Sequence, residues 1–188
     1  MCYTCGYAEP VPDVVKGQKR AKAKPHVNPR TGRPCSTFLT TQHLGHEFIT
    51  DVLELRFDGH LTYDASDDLW YSVLYALLEG ASDAFGIRRD DLDGTLYRYA
   101  GSPVPALVLF DNVPGGAGLV YRVSQDLSAA FQSARERMAR ACCGEDTSCY
   151  ECLRNFRNQP YHELLKRSVA LAFFDKLLLA ANLVPDSG

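Results

Sequence analysis

At 188 residues, 46% hydrophobic and 23% charged, the chain has the proportions of a soluble globular protein and enough length for one buried core with a small appendage. A formal net charge of −3 excludes a polycation, so nucleic-acid contact would have to come from a local basic patch. No run approaches the roughly 18 apolar residues of a membrane helix, and no basic-then-apolar signal opens the chain. A cytoplasmic protein with no membrane partner is expected.

Residues 1–36 are rich in Cys, Pro, Gly, Lys and Arg and poor in large apolar side chains. No acidic residue lies between Val14 and His46, while Lys16, Lys19, Arg20, Lys22, Lys24, Arg30 and Arg33 do. Two readings stand side by side, a phosphate-contacting loop and a solvated basic loop. From residue 37 a different region begins and runs to 188. Thr50 to Phe57 alternates as a strand with one buried face. Leu69, Val73, Leu74, Leu77, Leu78, Ala81 and Phe85 recur at helical spacing, with Asp67 and Asp68 where an N-cap belongs. A short strand is expected over Thr95–Tyr99 and a buried one over Pro105–Phe110. A glycine turn, residues 112–118, leads towards a helix over Ser124–Ala141, with Leu127, Phe131, Ala134 and Met138 on its apolar stripe and Arg135, Glu136 and Arg137 mostly off it. A cysteine-rich turn spans 142–152, and a last helix is expected over His162–Asn182. Strands and helices without an internal repeat predict an α+β or α/β fold, a mixed sheet with packed helices and two cysteine-rich zinc-binding loops.

Seven cysteines in a protein of this kind point to metal before disulfides, and an odd number leaves no complete disulfide framework. They form two groups. Cys2-x-x-Cys5 is followed by His26 and Cys35; adjacent Cys142 and Cys143 are followed by Cys149-x-x-Cys152. Two residues between cysteines let both thiolates face one ion, and zinc takes four such ligands in a tetrahedron. One or two structural zinc ions are therefore expected. The fourth ligand of the first group is His26, or else His43 or His46. In the second group one of the adjacent cysteines could instead be a buried thiol.

Pro114-Gly115-Gly116-Ala117-Gly118 follows a strand and precedes a helix, where backbone amides can hold a phosphate or simply turn tightly against a neighbour. Arg154, Arg157, Asn158 and Gln159, with Phe156 and Tyr161 interleaved, are candidates for nucleic-acid binding. They are also candidates for capping helices and shielding the second zinc site. Asp111, His46, His162, Glu47 and Asp51 are candidate acid–base groups with no spacing that ties them to one reaction.

The run FDNVPGGAGLVYRV, then a helix, then CCGEDTSCYECLRNFRNQPYHELLKRSVA, resembles the MrfA-type zinc-binding (MZB) domain. That domain occurs at the C-terminus of certain superfamily-two DNA helicases and in DrmB-like phage-defence proteins. Upstream, CYTCGY…H…GRPC and LGHEFITDVLELRF resemble the preceding segment of DrmB-like chains. The resemblance implies a zinc-dependent accessory domain working with a helicase subunit or helicase domain on DNA, in repair or phage defence, with Cys142, Cys143, Cys149 and Cys152 as the metal-bearing segment. Adjacent cysteines depart from the CxC spacing of family members. No GxxxxGK[ST] phosphate loop is present, so ATP hydrolysis by that route is not expected, and the chain would act as a fragment of a longer protein or a subunit in trans. The alternatives are a protein–protein scaffold without DNA contact and a nuclease-like hydrolase using Asp111 or the histidines.

Overall fold

The computed structural model describes residues 1–9, 25–40, 45–57 and 66–181. The chain divides into two compact units, Met1–Glu47 and Phe48–Gly188.

Among its described residues the first unit has a short hairpin, β1 (His26–Val27) and β2 (Pro34–Cys35), paired antiparallel with His26 opposite Cys35. The Asn28 side chain shapes its turn by accepting N–H bonds from Arg30 (2.8 Å) and Thr31 (3.2 Å), an Asx turn. Among the described residues of this unit only Cys2, Cys5 and His26 are buried.

The second unit carries a three-stranded antiparallel sheet in the order β3 (Val52–Leu55), β5 (Ala106–Asp111), β4 (Leu92–Tyr97). Its helices are α1 (Asp67–Phe85), α2 (Leu119–Gln125), α3 (Leu127–Ala139) and α4 (Arg167–Ala180), with a 3-10 turn at Gln159–Tyr161. The arrangement is α+β, with antiparallel pairing in both sheets. α1 is the central element: Leu69 to Ser82 is buried at nearly every position except Tyr71. It packs against α3, α4 and β4. Phe57, Trp70 and Phe173 meet as an aromatic cluster with centroids 5.1–6.0 Å apart.

Gly80 shows how closely α1 and α3 approach. A Cβ there would lie 2.5–2.6 Å from backbone and side-chain atoms of Ala134. Gly80→Ala is expected to cost about 1–3 kcal/mol through forced separation of the helices. A urea midpoint unchanged at constant m-value would show that the helices part freely.

Several elements differ from the sequence expectation. β4 begins at Leu92 and ends at Tyr97, because pairing with β5 extends from Leu92–Asp111 to Tyr97–Ala106. The helix expected from Ser124 is two helices. Asp126 interrupts it and caps α3, accepting from the Ala129 N–H at 3.0 Å and the Ser128 hydroxyl at 2.7 Å. At α1 the N-cap position is Ser66, and Asp67 and Asp68 fill the first turn, where carboxylates favour the helix dipole. The last helix starts at Arg167 rather than His162, because Lys166 is extended. No described helix is long and apolar enough to cross a membrane.

Candidate metal centres

The chain between α3 and α4 brings Cys142, Cys143, Cys149 and Cys152 together, their sulfurs all within 4.8 Å of one another. The Sγ–Sγ distances are 3.6 Å for Cys142–Cys149, 3.8 Å for Cys143–Cys152 and for Cys149–Cys152, and 4.0 Å for Cys142–Cys143. Four thiolates at about 2.3 Å from a tetrahedral zinc would stand about 3.8 Å from each other, so the spacing fits the ion. A disulfide needs about 2.05 Å, and all seven cysteines are free thiols. The adjacent pair, despite its departure from CxC, reaches the same point from both residues.

Local backbone explains the convergence. The Cys149 carbonyl accepts from the N–H groups of Cys152 (3.2 Å), Leu153 (3.1 Å) and Arg154 (2.9 Å), while the Cys149 N–H donates to the Cys152 sulfur at 3.1 Å. This turn folds the CxxC back on itself. Cys152 and Leu153 are buried in the core of the second unit, and burial pushes the Cys152 thiol up to about 12.

Two arginines that the sequence reading gave no role hold the turn. Arg137 donates from Nε to the Cys152 carbonyl (3.1 Å) and pairs with Glu79 (3.2 Å) and Asp83 (2.8 Å) of α1. Buried Arg167 donates to the carbonyls of Met138 (2.7 Å) and Cys143 (3.3 Å). The N–H groups of Arg167 and Ser168 donate to the carbonyls of Thr147 and Glu145, both at 3.0 Å, so the cysteine turn satisfies the first amides of α4. The available signal is position: Arg137 lies in the last turn of the helix before the cysteines and Arg167 begins the helix after them.

The first group also converges. Cys2, Cys5, His26 and Cys35 place their ligand atoms within 4.8 Å of one another, so His26 is the fourth member. His43 lies outside the described residues. Among the described residues no third group of three or more His, Cys, Asp or Glu side chains is placed to hold a metal. Either cluster could hold zinc.

The arginine segment is divided in its orientation. Arg154 turns inward, donating to Ser148 Oγ (3.0 Å) and the His162 carbonyl (3.4 Å), which braces the cysteine turn. Asn158 is fully buried; its amide donates to the Leu153 carbonyl (2.8 Å), and its Oδ1 meets the Asn155 N–H (2.8 Å) and His162 Nε2 (2.9 Å). It faces protein, which corrects its assignment as a nucleic-acid ligand. Arg157 and Gln159 are exposed. Lys16, Lys19, Arg20, Lys22 and Lys24 lie outside the described residues.

The glycine turn is filled by the protein's own carboxylates. Buried Asp111 accepts N–H bonds from Ala117 (2.7 Å), Leu119 (2.9 Å) and Val120 (2.8 Å), and Asp51 accepts from Gly118 (3.2 Å). Gly116 has φ +77°, and a Cβ there would sit 2.3 Å from Asp51 Oδ2. The anion at the start of α2 is therefore Asp111, not a bound phosphate.

Residues 73–153 match the family model of the MrfA Zn-binding domain. Over 188 aligned positions the chain is 28% identical to Druantia protein DruE of Escherichia coli (strain UMEA 4076-1), a match covering 90% of this chain and 10% of DruE. The chain thus spans a tenth of that relative's length. A crystal structure of the DUF1998 helicase MrfA bound to DNA resembles it with a TM-score of 0.54 and 18% identity, covering 81% of this chain and 20% of the helicase chain. One bound to DNA and AMPPNP gives a TM-score of 0.51 and 17% identity, covering 79% and 18%. At such identities the likeness is one of fold.

Proposed function

We propose that this chain, whose residues 73–153 match the family model of the MrfA Zn-binding domain, is a zinc-stabilised accessory module of a helicase-containing complex acting on DNA, in phage defence or repair. The observation that carries the reading is the tetrahedral spacing of four thiols on a turn laced to α3 and α4. Cys142, Cys143, Cys149 and Cys152 would hold the ion in a closed set, which is the form of structural rather than catalytic zinc. DruE and the DNA-bound helicase MrfA are the relatives that suggest a helicase or defence setting.

DNA would meet the exposed side chains of Arg157 and Phe156, which with Arg88 and Arg89 border a groove of about 450 Å³, the exposed Gln159 side chain, and the basic residues Lys16, Lys19, Arg20, Lys22 and Lys24. Phe156 is 81% exposed, a side chain free to stack on a base. Single- and double-stranded DNA binding measured across a salt series tests this. Affinity is expected to fall steeply with salt, and Arg157→Ala to reduce the log–log slope by about 0.7–0.9. Phe156→Ala is expected to weaken single-strand binding by about 1–3 kcal/mol. No DNA binding at low salt would favour the scaffold reading, to which exposed Tyr150 and Phe156, and the Asp90 and Asp93 carboxylates near Arg157 (3.6 and 3.8 Å), also lend themselves.

A further inference from the structure

The first unit has no apolar core among its described residues; what it buries is Cys2, Cys5 and His26. Two short backbone devices converge on that point. One is the CxxC turn, closed by Cys2 N–H to Tyr7 carbonyl (2.8 Å) and Gly6 N–H to Cys2 carbonyl (2.9 Å). The other is the β1–β2 hairpin, whose register sets His26 opposite Cys35, so that both side chains leave the same face. Cys2 Sγ lies 3.8 Å from Cys35 Sγ, the edge of a tetrahedron of about 2.3 Å metal–sulfur bonds, and Cys5 Sγ lies 3.2 Å from His26 Nε2. The Tyr7 ring stacks on the imidazole at 5.0 Å and 22°, fixing its plane. Residues with so little apolar surface cannot offset the entropy of ordering by burial alone.

We propose that Cys2, Cys5, Cys35 and His26 Nε2 form a second zinc site, three sulfurs and one nitrogen, which takes the place of a hydrophobic core among the described residues of the unit Met1–Glu47. It lies outside the matched residues 73–153, and its test does not depend on DNA binding. It also explains the odd number of cysteines. Four thiols belong to the later cluster and three to this one, with the imidazole completing the set, so none of the seven is left over.

The test uses the full chain. Elemental analysis is expected to give two zinc ions per chain, falling to one in His26→Ala and in Cys2→Ser, with the later cluster as internal reference. After cobalt exchange, thiolate-to-metal charge-transfer absorption should correspond to seven coordinated sulfurs, and His26→Cys should raise it to eight with two metals retained. In the zinc form no thiol should react rapidly with a disulfide reagent, and all seven should react after chelation in denaturant. One zinc per chain left unchanged by His26→Ala would overturn the proposal. So would three fast-reacting thiols in the zinc form, or a Cys2–Cys35 disulfide in protein purified under reducing conditions. Failure of DNA binding, by contrast, would leave this result untouched.

Discussion

Asp111→Ala is expected to unfold the start of α2 and lower the stability of the whole second unit by about 3 kcal/mol or more. The side chain is fully buried and accepts three backbone N–H bonds at 2.7–2.9 Å. Each buried donor left without a partner costs roughly 1–3 kcal/mol, partly relieved where water enters. The Asp111 carbonyl also accepts the Thr50 hydroxyl at 2.6 Å, and its N–H donates to the Asp51 carbonyl at 3.2 Å, so the residue ties β5, the glycine turn and the chain entering β3 together. At this chain size a loss of about 3 kcal/mol lowers the melting temperature by roughly 6–12 °C. Asp111→Asn keeps the volume but sets two donors among the amides, and should fall between the variant and the parent. The same experiment separates the structural role from the hydrolase reading. A catalytic carboxylate would give a variant of parental melting temperature and no cleavage.

The second large effect concerns the later cysteine cluster. Cys149→Ser combined with Cys152→Ser is expected to abolish zinc binding there and to lower the melting midpoint by about 10 °C or more, on the order of 3 kcal/mol. Apparent zinc-binding energies in small zinc-finger peptides reach about 10–16 kcal/mol. The loss here should be smaller, because α1 and the sheet keep an apolar core of their own. Its reach should nonetheless exceed the turn, since the Arg137 and Arg167 bonds end on carbonyls of Cys152 and Cys143. Zinc content and near-ultraviolet circular dichroism report the two consequences. An unchanged zinc content in the double variant would refute the site. Single Cys142→Ser and Cys143→Ser variants, each weakening the metal, would show that both adjacent thiols ligate.

Where side-chain chemistry is local, the sequence was readable. The α1 stripe and the β3 alternation come from periodicity that tertiary contacts reinforce. Both cysteine groups are legible because a CxxC pair marks each of them. What escaped depends on backbone geometry and packing that periodicity does not encode. β4 takes its limits from the β5 ladder, so Leu92 joins a strand that its own neighbours, Asp93 and Gly94, disguise as a turn. Asp126 reads as a helix residue in the sequence because the apolar stripe beyond it continues in phase. Arg154 and Asn158 looked alike beside Arg157, and only packing sorts them, two inward and one outward. Asp111 stands in the sequence among several acid–base candidates, and in the fold its carboxylate accepts three amides at the start of α2, a role that depends on where those amides point.

Among their described residues the two units bury very different materials, and heat should tell them apart. Opening the second unit hydrates Trp70, Phe173, Leu74 and their neighbours, which gives a large heat capacity increment and a strongly curved stability profile. Opening the first hydrates thiols and an imidazole, with a small increment and an almost flat profile. If metal fills that cluster, its resistance to opening follows the free zinc concentration logarithmically. Zinc supply, more than temperature, would then govern how much of the population keeps the first unit closed.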